Sequence, residues 1–202
     1  ILGCKPQQLA EISSVFSDKK IESIILSIMA GITLRRLSDS FPDAQNVIRS
    51  MPNTPGQIGE GITGFVFLNS PNQSEHRLVT NILSSLGESF ELNSEEDIDR
   101  ITAISGSGPA YLFEFTCALE CAAKEIGLPE KLANKFALQT VTGASKLLAN
   151  TDLHPEELRN QVTSPNGTTQ AALESLEKNN LRKIVQDAVE AAKARSIELS
   201  NA

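Results

Sequence analysis

Little in this 202-residue chain equips it for metal, nucleic acid or membrane. It has three cysteines, Cys4, Cys117 and Cys121, and no C-x-x-C pair, so a zinc site is not expected. Its two histidines, His76 and His154, lie far apart in sequence. Basic residues number 18 against 25 acidic ones, a net charge of -7. Nucleic acid selects basic faces, so it is not an expected partner. No apolar run approaches the length of a membrane span. No basic n-region opens the chain, so no signal peptide is expected. Cys117 and Cys121 stand four apart on one helical face and read as small core residues of a protein in a reducing cytosol. The expected location is therefore cytoplasmic. Paired carboxylates and a histidine with an evident acid–base partner are also missing.

What is present falls into two halves. In the first, apolar runs alternate with helical patterns. Strands are expected over 23–29, 46–51, 61–68 and 88–92, and helices over 33–41 and 72–86, the latter stopped by Gly87. Residues 1–4 read as the end of a buried strand, with Lys5-Pro6 opening a helix. Strands separated by helices mean βαβ units and a mostly parallel sheet. Near Asp97 the composition shifts, and from there helices account for the chain: 111–126, 129–149, 155–162, 168–178 and 181–199. The expected fold class is α/β followed by all-α, with domains at 1–96 and 97–202. The alanine-rich helical faces allow close approach of helices, within one bundle or across a partner interface.

One stretch carries the strongest functional signal. Ser164-Pro165-Asn166-Gly167 is a tight turn that feeds a helix starting near Thr168. The first N–H groups of a helix have no intrahelical acceptor and sit at the positive end of its dipole. A small carboxylate or phosphate suits that place, with the hydroxyls of Thr168 and Thr169 beside it.

Three further loops follow predicted parallel strands: Lys5-Pro6-Gln7, Met29-Ala30-Gly31 and Met51-Pro52-Asn53-Thr54-Pro55. In open α/β sheets ligands bind outside the carboxyl ends of the strands, so the loops share one crevice. They can position a cofactor but supply no nucleophile. Ser105-Gly106-Ser107-Gly108-Pro109 is not a serine-hydrolase elbow, because Ala103 precedes Ser105 and Pro109 follows Ser107 where G-x-S-x-G needs glycine. Its expected role is close packing of a helix start near the crevice. Glu95-Glu96-Asp97 reads as dipole charge on the following helix. A site without acid–base groups fits hydride transfer, where the cofactor carries the hard step.

Taken together, these pieces resemble pyrroline-5-carboxylate reductases along the whole chain. The matching motifs are Cys4-Lys5-Pro6-Gln7, Met29-Ala30-Gly31-Ile32-Thr33, Met51-Pro52-Asn53-Thr54-Pro55, Ser105-Gly106-Ser107-Gly108-Pro109-Ala110-Tyr111, Gly127-Leu128-Pro129 and Ser164-Pro165-Asn166-Gly167-Thr168-Thr169. The resemblance implies a Rossmann-type domain for NADPH or NADH and a helical domain that makes a homodimer or a larger assembly. It places Gly3, Cys4, Lys5, Pro6, Ile28, Met29 and Ala30 along the cofactor and Asn53 near its nicotinamide end. It gives the substrate carboxylate to the N–H groups of Thr168 and Thr169, helped by Ser164 and the Gly167 turn. The Thr169 hydroxyl faces the ring nitrogen as the catalytic group, and Glu95 and Gln161 border the substrate and cofactor. Asn166 stands where the family usually has glycine, and Gln161 where some members have asparagine.

The family's G-x-G-x-x-G turn, where the pyrophosphate would sit, is absent, and roughly two βα units with it. The chain is therefore expected to begin inside its native protein and to turn over poorly alone. Two rivals stand beside the resemblance. A hydroxyacid dehydrogenase of the same two-domain plan needs a helical Lys as acid, and no candidate is evident. The other is a non-catalytic dimeric helical module.

Overall fold

The computed structural model describes residues 1–201. Its strands are β1 (Ile24–Ser27), β2 (Asn46–Met51), β3 (Gly61–Phe67) and β4 (Gly87–Glu91), hydrogen-bonded in that order in one sheet. Residues 1–4 add only a bridge at the sheet edge. The Leu2 N–H donates to the Leu26 carbonyl at 2.8 Å, and the Leu2 carbonyl accepts from Ile28 at 3.0 Å, parallel to β1.

The pairs β1–β2 and β3–β4 are parallel, as the alternation of strand and helix requires. The pair β2–β3 is antiparallel, so the mostly parallel sheet expected is a mixed one. The reason is the short link from Pro52 to Glu60, built around one 3-10 turn, Thr54–Ile58. A parallel return needs a crossover of about a dozen residues or more.

Helices cover both faces of the sheet. The 3-10 turn Pro6–Gln8 leads into α1 (Leu9–Val15). Thr33 caps α2 (Leu34–Ser40), its hydroxyl accepting from the Arg36 N–H at 3.2 Å. This helix buries Leu34 and Leu37 and turns Arg35 and Arg36 outward. Asn72 and Glu75 form a capping box for α3 (Gln73–Leu83), which buries Val79 and Leu83 four residues apart. The expected helix to Leu86 ends earlier, in the turn Ser84–Leu86, and Gly87 is the first residue of β4 rather than a stop. One face of the sheet packs Ile25, Val47, Met51 and Val66 against Leu34, Leu37 and Ile98; the other packs Ile48, Phe65 and Phe67 against Val79 and Leu83. Fully burying each such side chain contributes about 1.5–3 kcal/mol relative to exposure.

Beyond β4 lie α4 (Glu96–Ile101), a π-helical turn Thr102–Gly106, α5 (Gly108–Glu125), α6 (Glu130–Ala149), α7 (Pro155–Gln161), α8 (Thr168–Lys178) and α9 (Leu181–Ser200). Among the described residues no strand follows Glu91. The chain forms two compact units, residues 1–109 with 188–202, and residues 110–187. The first contains the sheet and its core. The second is entirely helical, and its only buried hydrophobic residues are Ala133 and Ala137. Phe113, Phe136, Leu138 and Ile184 are each more than half exposed. Cys117 and Cys121 are exposed on α5, so they are not the core residues expected of them. No helix among the described residues is long and apolar enough to cross a membrane.

Candidate active site

In the second unit the turn before α8 is built by side chains that fold back on it. The Ser164 carbonyl accepts from the Gly167 N–H at 3.0 Å, closing the turn. Asn166 has a left-handed backbone, φ 58°, so asparagine meets the demand that glycine would otherwise satisfy. A side chain at Gly167 would collide with the Ser164 hydroxyl. The Asn166 N–H donates to the Gln170 side-chain oxygen at 2.8 Å. Gln170 in turn donates to Glu174 at 2.8 Å, one helical turn on. Gln170 is therefore a pin for the turn that sequence reading did not assign.

Gly167 is the N-cap of α8, and no side chain caps the helix. The N–H groups of Thr168 and Thr169 belong to its first turn, where helix geometry provides no acceptor. Thr168 is exposed and Thr169 half-buried. Ser164, Gly167, Thr168 and Thr169 thus come together at one helix start. Gln161 is the exposed last residue of α7, a few residues upstream. A wide groove of about 890 Å³ runs beside this turn, lined by Gln170, Glu174, Glu156, Arg159 and Arg182 among others.

In the first unit two of the three strand-end loops, those at Ala30 and at residues 51–54, meet at one crevice, and the loop at residues 5–7 does not join them. A crevice of about 470 Å³ lies at the ends of β1 and β2, lined by Ala30, Pro52, Asn53, Thr102, Gly106 and Ser107 among others. That volume is within the roughly 300–1,000 Å³ of small-ligand sites. Asn53 is held by accepting the Ile62 N–H at 3.0 Å through its side-chain oxygen. The Ser105–Ser107 segment does reach the crevice, through the π turn, which Thr102 shapes by accepting the Ser107 N–H at 2.8 Å. Such turns are common at functional sites, and nothing local in the sequence announced this one.

The other residues expected along the cofactor sit at the neighbouring strand end. Gly3 lies against Ile28, and the Cys4 thiol is 3.4 Å from the Met29 sulfur. Met29 is 2% exposed and belongs to the core, its N–H donating to the Ser27 hydroxyl at 3.2 Å. Lys5 and Pro6 begin the next turn and do not line the crevice. Small residues, an amide and exposed backbone at parallel strand ends fit the nicotinamide end of a dinucleotide. The letters G-x-G-x-x-G do occur, at Gly59-Glu60-Gly61-Ile62-Thr63-Gly64, but not as the family's phosphate-binding turn. They run from a turn into β3, not from a strand into a helix, so they form no phosphate cradle.

Glu95 belongs to the first unit and has protein partners. One of its oxygens accepts from the Arg49 guanidinium at 2.9 Å and from the Leu34 N–H at 2.8 Å. Arg49 is 1% exposed in the middle of β2 and also reaches Asp99 at 3.3 Å. This buried cation was missed in the sequence because β2 is otherwise apolar or small. The neighbouring acids titrate low. Hydrogen bonds from its own backbone and from Ser94 lower Glu96, and the Arg100 hydrogen bond lowers Asp97. Among the described residues no cluster of His, Cys, Asp and Glu could hold a metal ion.

Comparison with known proteins decides the family. Residues 95–199 match the family model described as pyrroline-5-carboxylate reductase dimerisation. The chain belongs to the pyrroline-5-carboxylate reductase family. It is 36% identical over 201 residues to the pyrroline-5-carboxylate reductase of Pseudomonas aeruginosa, covering 99% of this chain and 74% of that protein. The solved reductase of Coxiella burnetii superposes with a TM-score of 0.86 at 35% identity, covering 98% of this chain and 74% of the other. The pyrroline carboxylate reductase of Plasmodium falciparum, solved with NADP bound, gives 0.84 at 32% identity, over 98% and 79% of the two chains.

Proposed function

We propose that this protein reduces pyrroline-5-carboxylate to proline with NADPH or NADH as hydride donor. The observation that carries the reading is the uncapped start of α8 behind a turn held by Gln170. The substrate is a cyclic imine bearing a carboxylate, and this helix start matches the carboxylate in charge and in donor geometry. The N–H groups of Thr168 and Thr169 hold it, with Ser164 alongside. The Thr169 hydroxyl orients the ring nitrogen, and Gln161 borders the site.

A bound nicotinamide supplies hydride. The residues assigned to hold it are Gly3, Cys4, Lys5 and Pro6, then Ile28, Met29 and Ala30, with Asn53 at the nicotinamide end. At the imine carbon a C–H bond forms while the C=N π pair passes to nitrogen. That nitrogen is either already protonated as the iminium or takes a proton from solvent. Holding donor and acceptor in near-attack placement removes about 7–11 kcal/mol of barrier in the best-oriented cases, and part of that is available here.

The division proposed for these roles is a nucleotide-binding part over residues 1–96 and a helical part over 97–202 that pairs with a second copy. The pairing is supported by the dimerisation model and by the exposed apolar faces of α5, α6 and α9. The reading includes a cytoplasmic location, in keeping with three unpaired cysteines. The test is steady-state oxidation of NADPH and of NADH by the protein offered pyrroline-5-carboxylate, beside reduction of the oxidised cofactors by the protein offered a 3-hydroxyacid. Turnover confined to the imine supports the reading. Turnover of the hydroxyacid alone, or of neither, rejects it.

A further inference from the structure

Arg49 presents a chemical problem of its own. Its guanidinium is buried within β2, and isolated buried charge is costly, so its partners define its purpose. One nitrogen donates to Glu95 at 2.9 Å; the other donates to Asp99 at 3.3 Å and to the Ser200 hydroxyl at 3.1 Å. Asp99 also accepts from the Ser196 hydroxyl at 2.7 Å, so the last turns of α9 are tied to α4. The Glu95 oxygen that pairs with Arg49 also accepts the Leu34 N–H at 2.8 Å. The start of α2 is thereby fixed to the same charge cluster.

Between the end of β1 and the start of α2 runs a short loop that contributes Ala30 to the crevice. Its Gly31 has φ 70° and lies against the last turn of α9, where a Cβ would come within 2.9 Å of Leu199. The loop is held on one side by Leu199 and anchored at its exit by Glu95. Both holds converge on Arg49.

We propose that Arg49 is a positioning residue for the cofactor, fixing the Ala30–Thr33 loop through Glu95 at its exit and through the Ser196 and Ser200 ties that press Leu199 onto Gly31. The proposal rests on the cofactor reading given above. It assigns Glu95 to the cofactor side through the loop, not to contact with substrate. A purely structural pin would cost stability alone.

The experiment is calorimetric titration of NADPH into the protein, unaltered and as Glu95→Ala, Glu95→Gln and Leu83→Ala, with melting temperatures and both KM values for each. Glu95→Ala frees the Leu34 N–H and should weaken NADPH binding about tenfold, with the KM for pyrroline-5-carboxylate unmoved. Glu95→Gln keeps an acceptor oxygen and should restore binding to within about threefold. Leu83→Ala, on the opposite face of the sheet, should lower the melting temperature and leave NADPH affinity unchanged. If Glu95→Ala does not fold, Ser196→Ala combined with Ser200→Ala decides instead, with binding weakened about threefold. A lowered melting temperature with unchanged NADPH affinity overturns the proposal alone, as does a raised substrate KM with unchanged NADPH affinity. No NADPH binding by the unaltered protein overturns the cofactor reading and this proposal with it.

Discussion

At the scale of single residues, the account depends on two adjacent threonines with different duties. Thr168 is the first residue of α8, so its backbone N–H matters more than its side chain. Proline is tolerated at that position but has no N–H. Thr168→Pro should therefore raise the KM for pyrroline-5-carboxylate more than it lowers kcat. Thr169→Ala keeps the backbone donor and removes the hydroxyl. It should lower kcat about 10 to 100-fold, or about 1.4–2.7 kcal/mol, with substrate still bound. Steady-state kinetics on both variants separates the roles; a kinetically silent Thr169→Ala removes the role given to that hydroxyl. The turn was legible in sequence because proline, asparagine and glycine each restrict or relax the backbone locally. Arg49 was not, because its partners Glu95 and Asp99 are 46 and 50 residues away and leave no local signature.

At the scale of elements, helices and strands followed their periodicity closely. Strand β2 and helix α8 run as expected over 46–51 and 168–178. The direction of β3 was not legible, because strand alternation says nothing of direction; only the length of the link from Pro52 to Glu60 does. The helical unit is tied by ion pairs between elements that also escape periodicity. Glu156 on α7 accepts from Arg182 on α9 at 2.5 Å. That hydrogen bond first, then the charges of Arg182 and Arg159, holds the Glu156 carboxyl below its ordinary value of 4.5. A carboxylate with a depressed folded-state pKa adds stability above its unfolded value and loses it as pH falls through the folded one. The contribution should be complete at neutral pH and fade below about pH 4.5. Thermal melts of the protein and of Glu156→Gln across that range check it. The two curves should differ at pH 7 and converge in acid; a constant difference contradicts the assignment.

At the scale of the molecule, the helical unit buries only two alanines among its hydrophobic residues while Phe113, Phe136 and Leu138 face outward. Such a surface requires a partner, and the dimerisation match over residues 95–199 names a second copy. Interfaces of obligate kind bury about 2,000 Å² or more in total. Sedimentation at micromolar concentration should give a dimer or a multiple of it, and Phe136→Glu should shift the protein toward monomer. A stable monomer before substitution contradicts this. From sequence the apolar faces were visible, but bundle core and partner interface read alike until burial distinguished them.

The central claim is that hydride passes from nicotinamide to the imine carbon of a carboxylate-anchored ring. The most direct measurement follows that atom. The protein is given pyrroline-5-carboxylate and NADPH deuterated at C4, on either face in turn, and the product is read by mass spectrometry and NMR. The account predicts proline carrying one deuterium at C5, from one face of the nicotinamide only. Proline without deuterium from both labels, or no proline at all, would contradict it.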